Sequence, residues 1–264
     1  MAFEIIPELA LHYRVIGAEG APRLVLLNSL GTDSRIWDDL TITLGGRFCV
    51  LQYDQRGQGL SDAPPGPYSI ADHAKDLLAL LARLDWGPTV LCGLSIGGMI
   101  AMEALDRQPG LVRGLVLADT ADRIGSPAFW EGRMGEIRSR GLGAIAEPVM
   151  QRWFGSSFRK EHGTEVRGWS NLLARAPVDG YLGSCAALRD ADLTNAVDRI
   201  TVPVLCLCGS EDASTPPPAV RSLATRIAGA EYAEISEAGH LTPVERPREF
   251  AEALIGFMEV CIGD

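Results

Sequence analysis

The chain has 264 residues, 47% of them hydrophobic and 22% charged, which is enough apolar material for one large core or two small ones and excludes disorder, collagen and coiled coil. Acidic residues outnumber basic ones by 34 to 24, for a formal charge of −10. A field of that sign works against a phosphate-tracking surface, so no nucleic-acid partner is expected.

In chain order, residues 1–11 carry no basic stretch and include Glu4, Pro7 and Glu8. They do not read as a secretory signal, and a cytoplasmic location is expected. Residues 3–6 and 11–16 read as adjoining strands separated by Pro7. Further short apolar runs at 23–27, 49–53, 89–92, 114–118, 204–208 and 231–235 bring the strand candidates to eight. Helical patterns fall at 37–44, 70–84, 97–107, 219–227 and 248–261. Over 70–84 the apolar stripe is Ile70, Ala74, Leu77, Leu78, Leu81 and Leu84, with Asp72, Lys75, Asp76 and Arg83 mostly opposite. The alternation predicts an α/β fold, an eight-stranded, mostly parallel sheet flanked by helices.

From about 126 to 191 the alternation stops. This stretch has helical periodicity, three tryptophans (130, 153, 169) and many arginines, but no convincing strand. It reads as a helical cap inserted after the sixth strand of a single domain spanning 1–264. Lys75 and Lys160 are the chain's two lysines, so an anion site would use arginine. No uncharged run approaches the ~18 residues of a membrane span, and no membrane association is expected. The six cysteines (49, 92, 185, 206, 208, 261) lie mostly in apolar runs and read as reduced core thiols. Four scattered histidines (12, 73, 162, 240) without an HExxH pattern point to no metal site.

The central motif is Gly93-Leu94-Ser95-Ile96-Gly97-Gly98. It follows a strand pattern and opens a helical one, the context in which a serine stands on a sharp strand-to-helix turn as a nucleophile. A serine hydroxyl needs a base, and His240, after the last strand pattern, is in place to be one. The acid that orients the base is expected just after a strand between the two. Asp212 fits and is preferred; Asp119, ending the sixth strand pattern, is the rival. Glu211, beside Asp212, is expected to be solvated. Backbone N–H groups for a tetrahedral oxyanion are expected from Ile96, at a helix start, and Leu30, in the loop Asn28-Ser29-Leu30-Gly31-Thr32.

Together with Tyr53-Asp54-Gln55-Arg56-Gly57-Gln58-Gly59-Leu60-Ser61, these residues resemble the α/β-hydrolase family, whose members carry a D-x-R-G-x-G-x-S loop after the fourth strand. Within that family, the loop from Asn28 to Asp33 is similar to that of 3-oxoadipate enol-lactonases of the β-ketoadipate pathway. Further similarity lies in Pro65-Gly66-Pro67-Tyr68, in residues 120–127 with Trp130 and Arg133, in Arg152-Trp153-Phe154, and in Gly180-Tyr181 through Asp192-Leu193. Asp119 departs from the pattern, standing where such lactonases more often have asparagine.

The resemblance implies a cofactor-free serine hydrolase that opens a small anionic lactone or ester. The free carboxylate of an enol-lactone needs a cationic partner in an apolar pocket. Arg133 is the candidate for that anion, with Trp130 and Trp153 as pocket walls. The plainer alternatives are a surface arginine and two tryptophans of the cap core. A broad carboxylesterase or perhydrolase on the same scaffold is the competing activity, and a non-catalytic ligand-binding protein is the competing class.

Overall fold

A computed structural model describes residues 2–7 and 9–262; Glu8, counted above among the acidic residues of the first segment, lies outside them. The strands are β1 (Ala2–Ile6), β2 (Leu9–Ile16), β3 (Arg23–Leu27), β4 (Cys49–Tyr53), β5 (Thr89–Leu94), β6 (Val112–Ala118), β7 (Val204–Gly209) and β8 (Glu231–Ile235). They form one sheet in the order β1-β2-β4-β3-β5-β6-β7-β8. β1 pairs antiparallel with β2 and β2 antiparallel with β4, while all pairs from β4 to β8 are parallel. Burial explains why the inner strands read as unbroken apolar runs. Every residue of β4, β5 and β7 is buried, whereas the edge strands β1 and β8 are partly exposed.

The twelve α-helices of the described residues are α1 (Asp38–Leu44), α2 (Ile70–Arg83), α3 (Ile96–Arg107), α4 (Pro127–Arg140), α5 (Gly143–Trp153), α6 (Ser156–Glu161), α7 (Gly163–Ala174), α8 (Val178–Asp190), α9 (Thr194–Val197), α10 (Pro217–Arg226), α11 (Thr242–Glu245) and α12 (Pro247–Ile262). α1 packs with α12, and α2 with α3, against the sheet. α4 to α8 occupy the interval between β6 and β7 in which the sequence has no strand pattern. None of the described helices is long and apolar enough to cross a membrane. All six cysteines are buried free thiols.

Tertiary pairing sets the strand ends that hydrophobicity alone misses. β2 starts at Leu9 because Leu9 and Ala10 pair with Ile6 and Ile5, and β5 runs on to Leu94 because Gly93 and Leu94 pair with Leu117 and Ala118. α2 begins at a capping box, Ser69 bonding the Asp72 amide and Asp72 bonding back. Asp76, expected on its solvent face, is instead buried. Arg56 Nε and Nη2 donate to its two carboxylate oxygens at 2.5 and 2.7 Å. That planar two-point pair offsets the desolvation of the carboxylate and ties the loop after β4 to α2.

Because β3 to β8 run parallel, the loops that follow β3, β5, β6, β7 and β8 all leave from one edge. β3 lies between β4 and β5, so the chain switches direction across the sheet there and opens a crevice at the strand ends. Leu30, Ser95, Asp119, Asp212 and His240 all follow strands that end at this edge.

Candidate active site

Ser95 stands between β5 and α3 at φ 60°, ψ −120°, a conformation L-residues rarely adopt. Neighbouring bonds enforce it. The Ser95 amide donates to Ala118 O at 2.9 Å, while its carbonyl accepts from the Gly98 amide at 2.9 Å and the Thr120 hydroxyl at 2.6 Å. The flanking glycines are sterically required: an added Cβ at Gly93 would overlap the Gly97 carbonyl, and one at Gly97 would overlap the carbonyl of Leu27.

His240, in the loop between β8 and α11, is buried, and its Nδ1 lies 2.9 Å from Asp212 Oδ2. Both its neighbours are tethered. The Gly239 amide donates to Glu245 Oε1 at 2.7 Å, and the Leu241 amide donates to Trp153 O at 2.9 Å. Asp212 accepts further bonds from the Ser214 amide (2.6 Å), the Thr215 amide (3.2 Å) and the Thr215 hydroxyl (2.6 Å). Burial alone would raise its pKa, but the charge of His240 and these donors outweigh that and hold the carboxyl below its ordinary value.

Asp119 is fully buried but does not bond His240. Its Oδ1 accepts the Gly209 amide at 2.8 Å and its Oδ2 accepts the Thr242 hydroxyl. Burial first, and the adjacent Asp212 second, push its carboxyl well above the ordinary range. The two carboxyls are therefore driven apart, Asp212 toward the ionised form and Asp119 toward the protonated form. Asp119, Cys208 and Asp212 also place potential metal-ligand atoms within 4.8 Å of one another. Ligation would need Cys208 and Asp119 deprotonated. Burial, reinforced by the two aspartates, pushes the Cys208 thiol up as well, so the donor set suits proton retention better than a metal.

The loop after β3 is braced from within. Asn28 donates to Tyr53 O at 2.9 Å and accepts the Trp37 indole N–H at 2.9 Å, while the Ser29 carbonyl accepts from Gln58 Nε2 at 3.2 Å and Thr32 Oγ1 at 2.8 Å. In a trans peptide the C=O and N–H point opposite ways, so the Leu30 N–H is directed away from Gln58 and Thr32. Ile96 is the first residue of α3, whose opening N–H groups have no acceptor within the helix.

Ser95, His240 and Leu30 line a cavity of about 40 Å³, closed on its other side by Trp130, Arg133, Arg152 and Trp153. Trp130 and Trp153 are 4% and 5% exposed, so each is both a wall and part of the core; the Trp130 indole donates to Ile124 O at 2.6 Å. Arg133 is half-buried, 3.4 Å from the Tyr181 hydroxyl, with its guanidinium carbon 4.7 Å from the Phe129 ring centre and 5.3 Å from that of Trp130. Arg152, which the sequence alone does not place in the site, stands with its guanidinium carbon 5.1 Å from the Phe129 ring centre and its Nε 3.4 Å from Ser214 Oγ. The signal it carried in the sequence was the lack of any acidic residue three or four positions away. Sharing one ring, the two guanidiniums lie no more than ~10 Å apart. At an effective dielectric of ~20 that separation costs about 2 kcal/mol.

Glu211 is exposed, as expected, but not simply solvated: it accepts the Ser156 amide at 2.7 Å and hydroxyl at 3.0 Å. Glu245, unmarked in the sequence, accepts the amides of Gly155 (2.9 Å) and Gly239 (2.7 Å). These two carboxylates fasten the start of α6 to the loops carrying Asp212 and His240. A second chamber of about 590 Å³ shares Leu30 and Tyr181 with the cavity but contains neither Ser95 nor His240.

The family model for the alpha/beta hydrolase family matches residues 24–253. The chain is 32% identical over 252 residues to 3-oxoadipate enol-lactonase 2 of Acinetobacter baylyi, covering 96% of this chain and 94% of that protein. Its structure resembles that of the enol-lactonase from Burkholderia xenovorans LB400, with a TM-score of 0.94 and 35% identity over 97% of this chain and 99% of the other. A thermophilic esterase from Thermogutta terrifontis, solved with malate bound, is similar at a TM-score of 0.90 and 28% identity, over 98% and 97% of the two chains. The chain belongs to the alpha/beta hydrolase family and is similar over nearly its whole length to 3-oxoadipate enol-lactonases.

Proposed function

We propose that this protein is a cytoplasmic serine ester hydrolase that opens a small carboxylated lactone, converting 3-oxoadipate enol-lactone to 3-oxoadipate. The observation that carries the reading is Arg133, a guanidinium with no carboxylate partner among the described residues, in the cavity that also holds Ser95 and His240. Similarity to two enol-lactonases supports the substrate. The malate held by the related esterase supports a carboxylate ligand. The six buried free thiols support a reducing compartment.

Ser95 Oγ attacks the ring carbonyl carbon while His240 Nε2 takes the hydroxyl proton. Asp212 accepts from Nδ1–H, fixing the tautomer and stabilising the imidazolium. The oxyanion is received by the N–H groups of Leu30 and Ile96, the latter at the positive end of α3. Collapse breaks the ring C–O bond, and the leaving enol takes the proton from His240 and tautomerises to the ketone. His240 then deprotonates a water that attacks the acyl-enzyme, returning the proton to Ser95 and releasing a second carboxylate. No cofactor takes part.

Arg133→Ala tests the anion assignment. The substitution is expected to raise KM for the lactone about tenfold or more while changing KM for nitrophenyl acetate by less than about threefold. Equal effects on both substrates would remove Arg133 from the site. The larger chamber across Leu30 and Tyr181 favours a second reading, a broader esterase or perhydrolase that takes longer esters. A preference for long-chain nitrophenyl esters over the lactone would support that reading.

A further inference from the structure

Two guanidiniums face the Ser95 cavity, and the mechanism above uses one of them. Arg133 comes from α4 and Arg152 from the last turn of α5, and the Phe129 ring lies beside both. Their side-chain hydrogen bonds end on neutral hydroxyls, Tyr181 and Ser214. By contrast, Arg140 of α4 pairs with Glu136, and Arg189 of α8 with Glu131 and Asp190. A half-buried guanidinium gives up part of its hydration and recovers that loss most fully from an anion. Burial, and the neighbouring Arg133, push the Arg152 guanidinium down from its usual value, and the charge of Asp212 offsets only part of that.

The cavity therefore concentrates two positive charges, while a lactone with one free carboxylate brings one negative charge. Ester cleavage creates the second. Arg152 stands on the side where this happens, since its Ser214 partner donates an amide to Asp212, which holds His240. We propose that Arg152 and Arg133 form a dicarboxylate subsite, Arg133 holding the carboxylate the substrate brings and Arg152 the carboxylate that hydrolysis creates. This rests on the ester hydrolysis proposed above and narrows its substrates to esters and lactones whose acid product carries a carboxylate at each end of a short chain.

The test is inhibition of nitrophenyl acetate hydrolysis by adipate and by hexanoate, six-carbon acids that differ by one carboxylate, using the intact protein. Adipate is expected to inhibit with a Ki at least about tenfold below that of hexanoate. Arg152→Gln and Arg152→Met, the latter keeping a long stem against Phe129, are each expected to abolish that preference, and Arg152→Lys to retain most of it. The subsite is overturned if the preference is absent from the unsubstituted protein, if it survives both neutral variants, or if they weaken adipate and hexanoate by the same factor. Lactone turnover is scored separately. Failure to open the lactone with the adipate preference intact would refute the proposed substrate alone, and turnover without the preference would refute the subsite alone.

Discussion

Substituting Asp212 by asparagine is expected to cost about four orders of magnitude in kcat, and the corresponding change at Asp119 almost nothing. Asp212 Oδ2 lies 2.9 Å from His240 Nδ1, and the side chains of this pair are at most 3% exposed. At an effective dielectric of ~20, a unit charge at that distance stabilises the imidazolium by about 6 kcal/mol, which corresponds to roughly 10⁴ in rate. Asparagine would also present an N–H where an acceptor is needed, favouring the wrong tautomer. Asp119, which bonds Gly209 and Thr242 and whose carboxyl is pushed toward the protonated form by burial and by Asp212, has little charge to lose. Asparagine can still accept the Gly209 amide and donate toward Thr242, so less than about tenfold is expected. The assay is kcat for nitrophenyl acetate at pH 8 in both variants, with thermal melts to establish folding. An Asp212→Asn enzyme retaining a tenth of its activity, or an Asp119→Asn enzyme equally impaired, would refute the assignment of the orienting acid.

Ser95→Gly removes the proposed nucleophile and also relieves a non-glycine residue at φ 60°. It should abolish turnover while raising stability by about 1 kcal/mol, or ~2 °C in Tm; a lower Tm would show that the turn stores no strain. Glu245 offers a pH test. Burial raises its pKa to about 7, the Gly155 and Gly239 amides offset part of that rise, and Glu211 adds to it. A carboxyl whose folded pKa lies above its unfolded value binds its proton more tightly when folded. Its contribution is complete below about pH 4.5 and is lost as pH rises through 7, up to about 3 kcal/mol in all. The stability of wild type relative to Glu245→Gln, from urea midpoints, should therefore fall between pH 5 and pH 8.5, and a constant difference would refute the shift.

The sheet could be read in the sequence because parallel strands buried on both faces, such as β4 and β7, must be apolar throughout. α2 was legible from its stripe, but the burial of Asp76 was not, because Arg56 reaches it from 20 residues away. The four-residue helices α9 and α11 are too short to show a period. In the site, Ser95 and His240 were legible because local turns and strand ends constrain them. The choice between Asp212 and Asp119 was only a preference, since both end parallel strands at the same edge. Hydrogen bonds to His240 and to Thr242 separate them, and those cross 28 and 123 residues. Arg152 and Glu245 were missed for the same reason: their partners, Ser214 and Gly155, lie 62 and 90 residues away.

The proposed reaction is the opening of a carboxylated enol-lactone by Ser95. The direct measurement is kcat/KM for 3-oxoadipate enol-lactone, generated enzymatically in a coupled assay, against nitrophenyl acetate, with Ser95→Ala as the control. A preference for the lactone on the order of 100-fold and no turnover in the variant are expected. A lactone rate no better than that of the simple ester, or lactone turnover that survives Ser95→Ala, would contradict it.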